Sequence, residues 1–318
     1  MMDYKKALEE RIEMKMSEYY PSGNHLKTRA IVRERALGTV FKWELEGGEQ
    51  LFVKTFDKDV LAERAEMWKR LSEHRDEVLI PRILDILEDM NAVVMEGVKG
   101  RKLSSILVSH SFPLIKNQDN LYLYVEQIGR AIGKLQTFTA GKPRKLRELK
   151  EAWVNRVKLE PSLKKIIGNE AYSQIYRRIE TTREKEMMTV RVHGEILPHN
   201  ILVQGNKPRF IDFQYYEGFC FEDPISFSVG LELTQRVPHF GYNLFDGLNK
   251  RFFEAYKESS PCEVDKELWD FFRLMWYCFL LEGYKHWKRY SPVNHVVSVV
   301  DSLYLRKKIK QTVTEIGL

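Results

Sequence analysis

The sequence predicts a two-lobed α+β fold, with a small antiparallel sheet and its helices up to about residue 98 and a larger, mainly helical part over 99–318. Three observations lead there. Short strand-forming segments separated by turn residues crowd the first third of the chain. Apolar residues recur at helical spacing over most of the rest. A length of 318 residues exceeds one ordinary core and suits two.

The elements follow in order. Residues 3–19 place Leu8, Ile12, Met16 and Tyr19 at helical spacing among charges, and Tyr20-Pro21-Ser22-Gly23 stops that helix. Thr28 to Leu37, Thr39 to Leu45 and Gln50 to Phe56 read as an antiparallel meander, broken at Gly38 and at Glu46-Gly47-Gly48-Glu49. Asp57 to Glu73 then turns helical, with Val60, Met67, Trp68 and Leu71 facing one way. Ile83 to Leu87 and Ala92 to Met95 flank the polar turn Glu88-Asp89-Met90-Asn91 and complete five strands. Glu96-Gly97-Val98-Lys99-Gly100 reads as a linker. Beyond it Leu121 to Phe138 is helical through Val125, Ile128, Ile132 and Leu135, and more helix is expected in 145–182 and 240–290. One β interruption breaks this part: Val190 to Val192, Asn200 to Val203 and Arg209 to Phe213 read as a small hairpin bearing loops. Loops held on a rigid scaffold are where chemistry concentrates.

Composition narrows the class of function. With 43% hydrophobic and 12% aromatic residues, 18 Gly and 11 Pro, the chain is neither disordered nor collagen-like. Fifty-one Lys plus Arg against forty-five Asp plus Glu give a net +6, with both signs interspersed. That excess fits an anionic ligand and does not call for nucleic acid. Cys220, Cys262 and Cys278 are too few and too scattered for a disulfide framework, and no CxxC pair suggests zinc. No apolar run approaches the roughly 18 to 20 residues of a membrane helix. The first residues lack the apolar core of a signal peptide. A cytoplasmic protein with no membrane partner is expected.

The chemistry-bearing segment is His193-Gly194-Glu195-Ile196-Leu197-Pro198-His199-Asn200, followed after the next strand by Ile211-Asp212-Phe213. An acid, an asparagine five residues on, and a later aspartate supply what phosphoryl transfer requires: a base for a hydroxyl and two oxygen ligands for magnesium. In this order and spacing the chain resembles the aminoglycoside phosphotransferase and choline kinase branch of the protein-kinase-like superfamily. The resemblance runs from about Thr28 to Tyr290, with the specific motif at 193–224. It implies a bilobal protein-kinase-like fold whose N-lobe binds nucleotide, and a phosphotransferase that uses ATP and Mg with a small-molecule acceptor. Lys54, in Leu51-Phe52-Val53-Lys54, stands where the family holds the nucleotide phosphates. Glu63 or Glu66 of the following helix would be its ion-pair partner, with Glu63 preferred for its row with Met67 and Leu71. Val93 to Val98 resembles the interlobe hinge, so the backbone of Glu96 and Val98 would bind adenine. Asn200 and Asp212 would hold metal, Glu195 would act on the hydroxyl, and Asp223-Pro224 also fits the family.

Three departures stand out. Glu195 replaces the aspartate of the pattern, and one extra methylene moves the carboxylate by about 1.5 Å. A displacement of about 1 Å can cost on the order of a hundredfold in rate. The segment Arg33-Glu34-Arg35-Ala36-Leu37-Gly38-Thr39 holds one glycine where many kinases carry several, so Arg33 or Arg35 would add charge near phosphates. Leu135-Gln136 stands where the family often has Leu-His.

Tyr215, Phe219 and Phe221 lie among Glu217, Glu222 and Asp223, a mixture that suits a cationic alcohol such as an amino sugar, choline or ethanolamine, or else anchors a loop. Trp269, Phe272, Trp276, Leu280, Gly283 and Trp287 read as a core stripe. The basic run from Lys142 to Lys150 reads as a solvated helix start. Two other classes stay open. Glu195 and the glycine-poor loop suit a pseudokinase that binds nucleotide or a partner without transfer. An atypical protein kinase is disfavoured by Gln214 after Asp212-Phe213 and by the lack of Ala-Pro-Glu.

Overall fold

The computed structural model describes residues 2–19, 26–35, 38–45, 47–56, 58–110, 119–149, 159, 161–214, 216–235, 242–287 and 292–317. The expected helix stop at Tyr20 to Gly23, the strand end at Ala36 and Leu37, Glu46, Asp57, Lys150 and Tyr215 lie outside these residues. So do the side chains of Met16, Arg33, Arg35, Val60, Glu63 and Trp287. The chain divides into two compact units, Met1–Gly100 and Arg101–Leu318.

The first unit opens with helix α1 (Met2–Tyr19) and strands β1 (Leu26–Arg35), β2 (Gly38–Leu45) and β3 (Gln50–Thr55). Helix α2 (Lys58–Glu73) and strands β4 (Ile83–Leu87) and β5 (Ala92–Glu96) follow. The sheet is antiparallel in the order β1-β2-β3-β5-β4. Side chains alternate across a strand, and in β3 Leu51, Val53 and Thr55 are buried while Phe52 and Lys54 are half-buried. Leu8, Ile12 and Tyr19 of α1 join Phe41, Trp43, Leu51, Val53 and Val94 in one core. The Tyr19 hydroxyl donates to Asp85 in β4 at 2.9 Å, and Lys15 pairs with the same carboxylate. The expected α2 face shifts by about one position. Leu61, Ala65, Trp68 and Leu71 are buried, whereas Met67 is half-buried, because Trp68 packs edge-on against Phe56 at 6.2 Å and sets the rotation of the helix.

The second unit begins with β6 (Arg101–Lys102), α3 (Leu103–His110), α4 (Asp119–Thr139) and β7 (Pro143–Lys145). Next come α5 (Pro161–Ile167), α6 (Asn169–Arg183), β8 (Glu186–Val192), β9 (Ile201–Gln204), β10 (Lys207–Phe210) and β11 (Tyr216–Phe219). Helices α7 (Glu222–Gln235), α8 (Tyr242–Ser259), α9 (Lys266–Trp287) and α10 (Pro292–Glu315) complete it. Two small sheets, β10-β9-β6 and β11-β8-β7, stand among these helices.

Two expectations are corrected here. The segment read as one hairpin is split, because β9 and β10 form the hairpin while β8 pairs with β7 and β11. The basic run from Lys142 is no helix start. Pro143 to Lys145 pair with Glu186 to Met188 as an edge strand, and Gly141 N donates to Thr189 O at 2.7 Å. Arg144 is held there by Glu217 at 2.8 Å and by Glu148 at 3.6 Å. Among the described residues no helix is long and apolar enough to cross a membrane.

Candidate active site

The His193 turn is built from beneath. His193 is fully buried and its ring meets Phe210 and Phe213 edge-on, each at 5.8 Å. The Asp223 carboxylate, in the first turn of α7, accepts from His193 N at 2.6 Å and Gly194 N at 2.9 Å. Burial drives the Asp223 carboxyl up to about 7, although both backbone donors pull the other way. Gly194 has φ +97°, and a Cβ there would lie 2.8 Å from Tyr216 Cε1. Gly194→Ala is therefore expected to lower stability by about 2–4 kcal/mol, combining left-handed strain with overpacking. Urea denaturation measures this, and a change within about 0.5 kcal/mol would refute it.

From this turn the chain lays out three candidate residues in succession. Half-buried Glu195 uses its carbonyl to accept from Asn200 Nδ2 at 3.0 Å and from Leu197 N at 2.9 Å. A short 3-10 turn over Pro198–Asn200 delivers Asn200 to the start of β9. Asn200 O then accepts from Ile211 N at 2.9 Å, extending the β9–β10 ladder by one rung at its open end. Asp212 comes next with φ +61°, a left-handed position that aspartate tolerates better than most residues. That reversal ends the strand, so Asp212 and Phe213, expected to belong to it, stand beyond its end. Gln214 N donates to His193 O at 2.9 Å and closes the loop. Glu195, Asn200 and Asp212 are thus fixed to one another through backbone bonds.

Lys54, Glu63, Glu96 and Val98 belong to the first unit. Lys54 sits on the sheet face opposite the α1 core, with Nζ 5.4 Å from the Phe56 ring centroid. The backbone of Glu63 lies in α2, and Glu66 is exposed. Glu96 ends β5, where its N–H donates to Arg82 O at 2.9 Å and its carboxylate accepts from Arg82 N at 3.0 Å. Gly97 N donates to Gln50 O at 2.6 Å, which fixes the strip leading to half-buried Val98.

The aromatic and acidic segment after Asp212 serves as an anchor. Phe219 and Phe221 are buried against Phe272 at 4.6 and 5.6 Å. Glu217 pairs with Arg144, and Tyr216 donates to Glu222 at 2.6 Å. Trp269, Phe272 and Trp276 are core, as the stripe implied, while Leu280 is half-buried and Gly283 exposed. Among the described residues no group of three or more His, Cys, Asp or Glu is arranged to hold a metal ion. The side chains of Asn200 and Asp212 offer hard oxygen donors, and magnesium commonly takes one or two carboxylates and completes its shell with water and phosphate oxygens. The donor chemistry therefore fits that ion. The support that Asp223 gives the His193 turn was not legible in the motif, although an acid directly before proline at a helix start was its visible sign.

Residues 31–217 match the phosphotransferase enzyme family. No curated protein matches the sequence. A glucosamine kinase solved with glucosamine, ADP and inorganic phosphate is 13% identical, with 92% of this chain and 84% of that chain covered and a TM-score of 0.66. The amicoumacin kinase hAmiN, in complex with AMP-PNP, Ca2+ and Ami, is 12% identical over 96% of both chains, with a TM-score of 0.58. An aminoglycoside-3'-phosphotransferase of type VIII is 22% identical over 86% of this chain and 97% of that one, with a TM-score of 0.53. At such identities the likeness is one of fold, the α+β kinase-like fold.

Proposed function

The chain belongs to the phosphotransferase enzyme family, and from that premise we propose that it transfers the γ-phosphoryl group of ATP, with magnesium, to a hydroxyl of a small molecule in the cytoplasm. The observation that carries this reading is the bonded succession Glu195, Asn200, Asp212, linked by Asn200 Nδ2 to Glu195 O and Ile211 N to Asn200 O. In it Asn200 and Asp212 hold magnesium, which when bound would neutralise charge building on the phosphates. Lys54 holds the phosphates and Glu63 orients Lys54. The backbone of Glu96 and Val98 receives adenine. Glu195 orients or deprotonates the acceptor hydroxyl.

An amino sugar or amino alcohol is the proposed acceptor. Its support is the shared fold with the glucosamine kinase, since Phe219 and Phe221 are committed to the core. The test is transfer of label from γ-labelled ATP to a pool of amino sugars and amino alcohols, by the unaltered chain and by Glu195→Asp. Moving the carboxylate by about one bond length is expected to change the rate by on the order of a hundredfold, in either direction. No transfer by either chain would favour a nucleotide-binding protein without catalysis. Label appearing in protein would favour the protein-kinase reading.

A further inference from the structure

Helix α7 lays one face along the loop that carries Glu195 and Asn200. At about 3.6 residues per turn, Asp223, Ser226 and Gly230 fall on the same side of that helix. Each meets a different stretch of the loop, in order. The Asp223 carboxylate accepts from His193 N and Gly194 N. One turn on, the Ser226 hydroxyl donates to Ile196 O at 3.2 Å, with both residues buried. Gly230 follows a turn later, against Leu197 and Pro198.

Gly230 has no room for a side chain. A Cβ there would lie 2.6 Å from Pro198 Cδ and 3.1 Å from Leu197 Cδ2. A comfortable carbon–carbon contact is about 3.5–4.0 Å. The leucine methyl can turn aside. Pro198 Cδ cannot, because the ring bonds it to the backbone nitrogen and fixes φ. Relief must therefore move the backbone of the loop or of the helix. The helix is braced elsewhere along its length. Phe227 packs on Phe252 of α8 at 4.7 Å between ring centroids, and Glu232, on the side opposite Gly230, accepts from the Tyr277 hydroxyl of α9. The loop is thus the part that yields. Pro198 opens the 3-10 turn that ends at Asn200. Asn200 N donates to Leu197 O at 2.8 Å and its side chain returns to Glu195 O, so a push at Pro198 reaches both site residues. Glycine is unfavourable in a helix interior compared with alanine, and the seat for Pro198 is what it supplies here.

We propose that Gly230 is a positioning residue for the loop from His193 to Asn200: lacking a side chain, it seats Pro198 on α7 and so sets where Asn200 stands relative to Glu195. Asp223 fixes the start of the same strip and Ser226 its middle. The inference rests on the phosphotransfer reading for the roles of Glu195 and Asn200, whereas the seating of Pro198 stands apart from that reading.

The test compares the full chain with Gly230→Ala, Pro198→Ala and the double variant, by amide hydrogen exchange and by transfer of label from γ-labelled ATP. In Gly230→Ala, exchange over residues 196–201 and at Ile211, whose N–H donates to Asn200 O, is expected to run at least about tenfold faster, with α4 unchanged. Transfer is expected to slow by on the order of a hundredfold. Half-maximal rate is expected to need about ten- to a hundredfold more magnesium. Pro198→Ala deletes the ring carbons that a new Cβ would strike, so the double variant is expected to recover most of these losses. General loosening of the helix would not be relieved by a change in the loop. Unaltered exchange and rate in Gly230→Ala would overturn the proposal, and so would losses that Pro198→Ala leaves in place. Should Gly230→Ala lack a cooperative thermal transition, the double variant decides: recovery of the folded state supports the seat, and failure to recover it overturns the seat. If the unaltered chain transfers no label to any acceptor, the phosphotransfer reading falls, while the exchange pattern still accepts or rejects the seating of Pro198.

Discussion

On the proposed reading Mg·ATP is expected to stabilise the unaltered chain, and Asp212→Asn is expected to lose that stabilisation. Ligand at a hundred times its dissociation constant adds about 2.7 kcal/mol to the native state. At this chain length that shifts the thermal midpoint by several degrees. Asparagine keeps the size of Asp212 and tolerates the same left-handed backbone at φ +61°, so the fold should survive the change. What disappears is the negative charge proposed to face the metal, and phosphotransfer should fall by on the order of 10² to 10³, as when one preorganised electrostatic group is removed. Thermal scans with nucleotide alone, with Mg·ATP and with neither measure the first effect, and label transfer the second. An equal Mg·ATP shift in both chains would sink the assignment of Asp212 to metal.

The largest stability effect is expected at Asp223. Asp223→Ala leaves the N–H groups of His193 and Gly194 buried without their acceptor, at about 1–3 kcal/mol each, for a loss of about 2–6 kcal/mol. The carboxyl also makes stability depend on pH. In the folded chain it holds its proton up to about pH 7, whereas in the unfolded chain it releases it near its ordinary value. The folded state thus binds more protons between those limits. The contribution is complete in acid, declines as pH rises through that window and is gone above about 7, spanning about 4 kcal/mol. Urea denaturation at several pH values, for the unaltered chain and for Asp223→Asn, isolates it. A stability difference that stays constant between about pH 5 and pH 7.5 would contradict the raised pKa.

Much of this was legible in the chain because period and punctuation agree. Ile83 to Leu87 was read to the residue, and Gln50 to Phe56 nearly so, since β3 alternates apolar and polar positions between turn signals. The motif from His193 to Asp212 gave order and spacing, which a loop retains whatever its path. Contacts distant in sequence were hidden. Nothing local shows that Pro143 to Lys145 pair with Glu186 to Met188, or that β8 leaves its sequence neighbours for another sheet. Phe219 and Phe221 have a composition that suits either a ligand or a core, and the choice is made by Phe272 on a helix far along the chain. The carbonyl of Cys220 is likewise held by Gln136 and Tyr256, and Gln136 in turn by Ser260, residues far apart in the sequence.

The β9–β10 hairpin has two ends with different tolerances. Its open end carries Asn200 and Asp212, while its closed end is a two-residue turn, Gly205-Asn206, between the paired residues Gln204 and Lys207. Gly205 has φ +60°, and among the described residues beyond its chain neighbours none comes within 4 Å of where a Cβ would lie; a positive φ at the first turn position alone defines a type II′ turn. The turn is exposed and is tethered by the bond that Tyr124 OH donates to Gly205 O at 3.3 Å. Because the ladder rather than the turn sets the separation of Asn200 and Asp212, this tip offers a place to graft a fluorophore or an affinity peptide as a reporter, leaving the spacing of the acidic and amide side chains at the other end untouched.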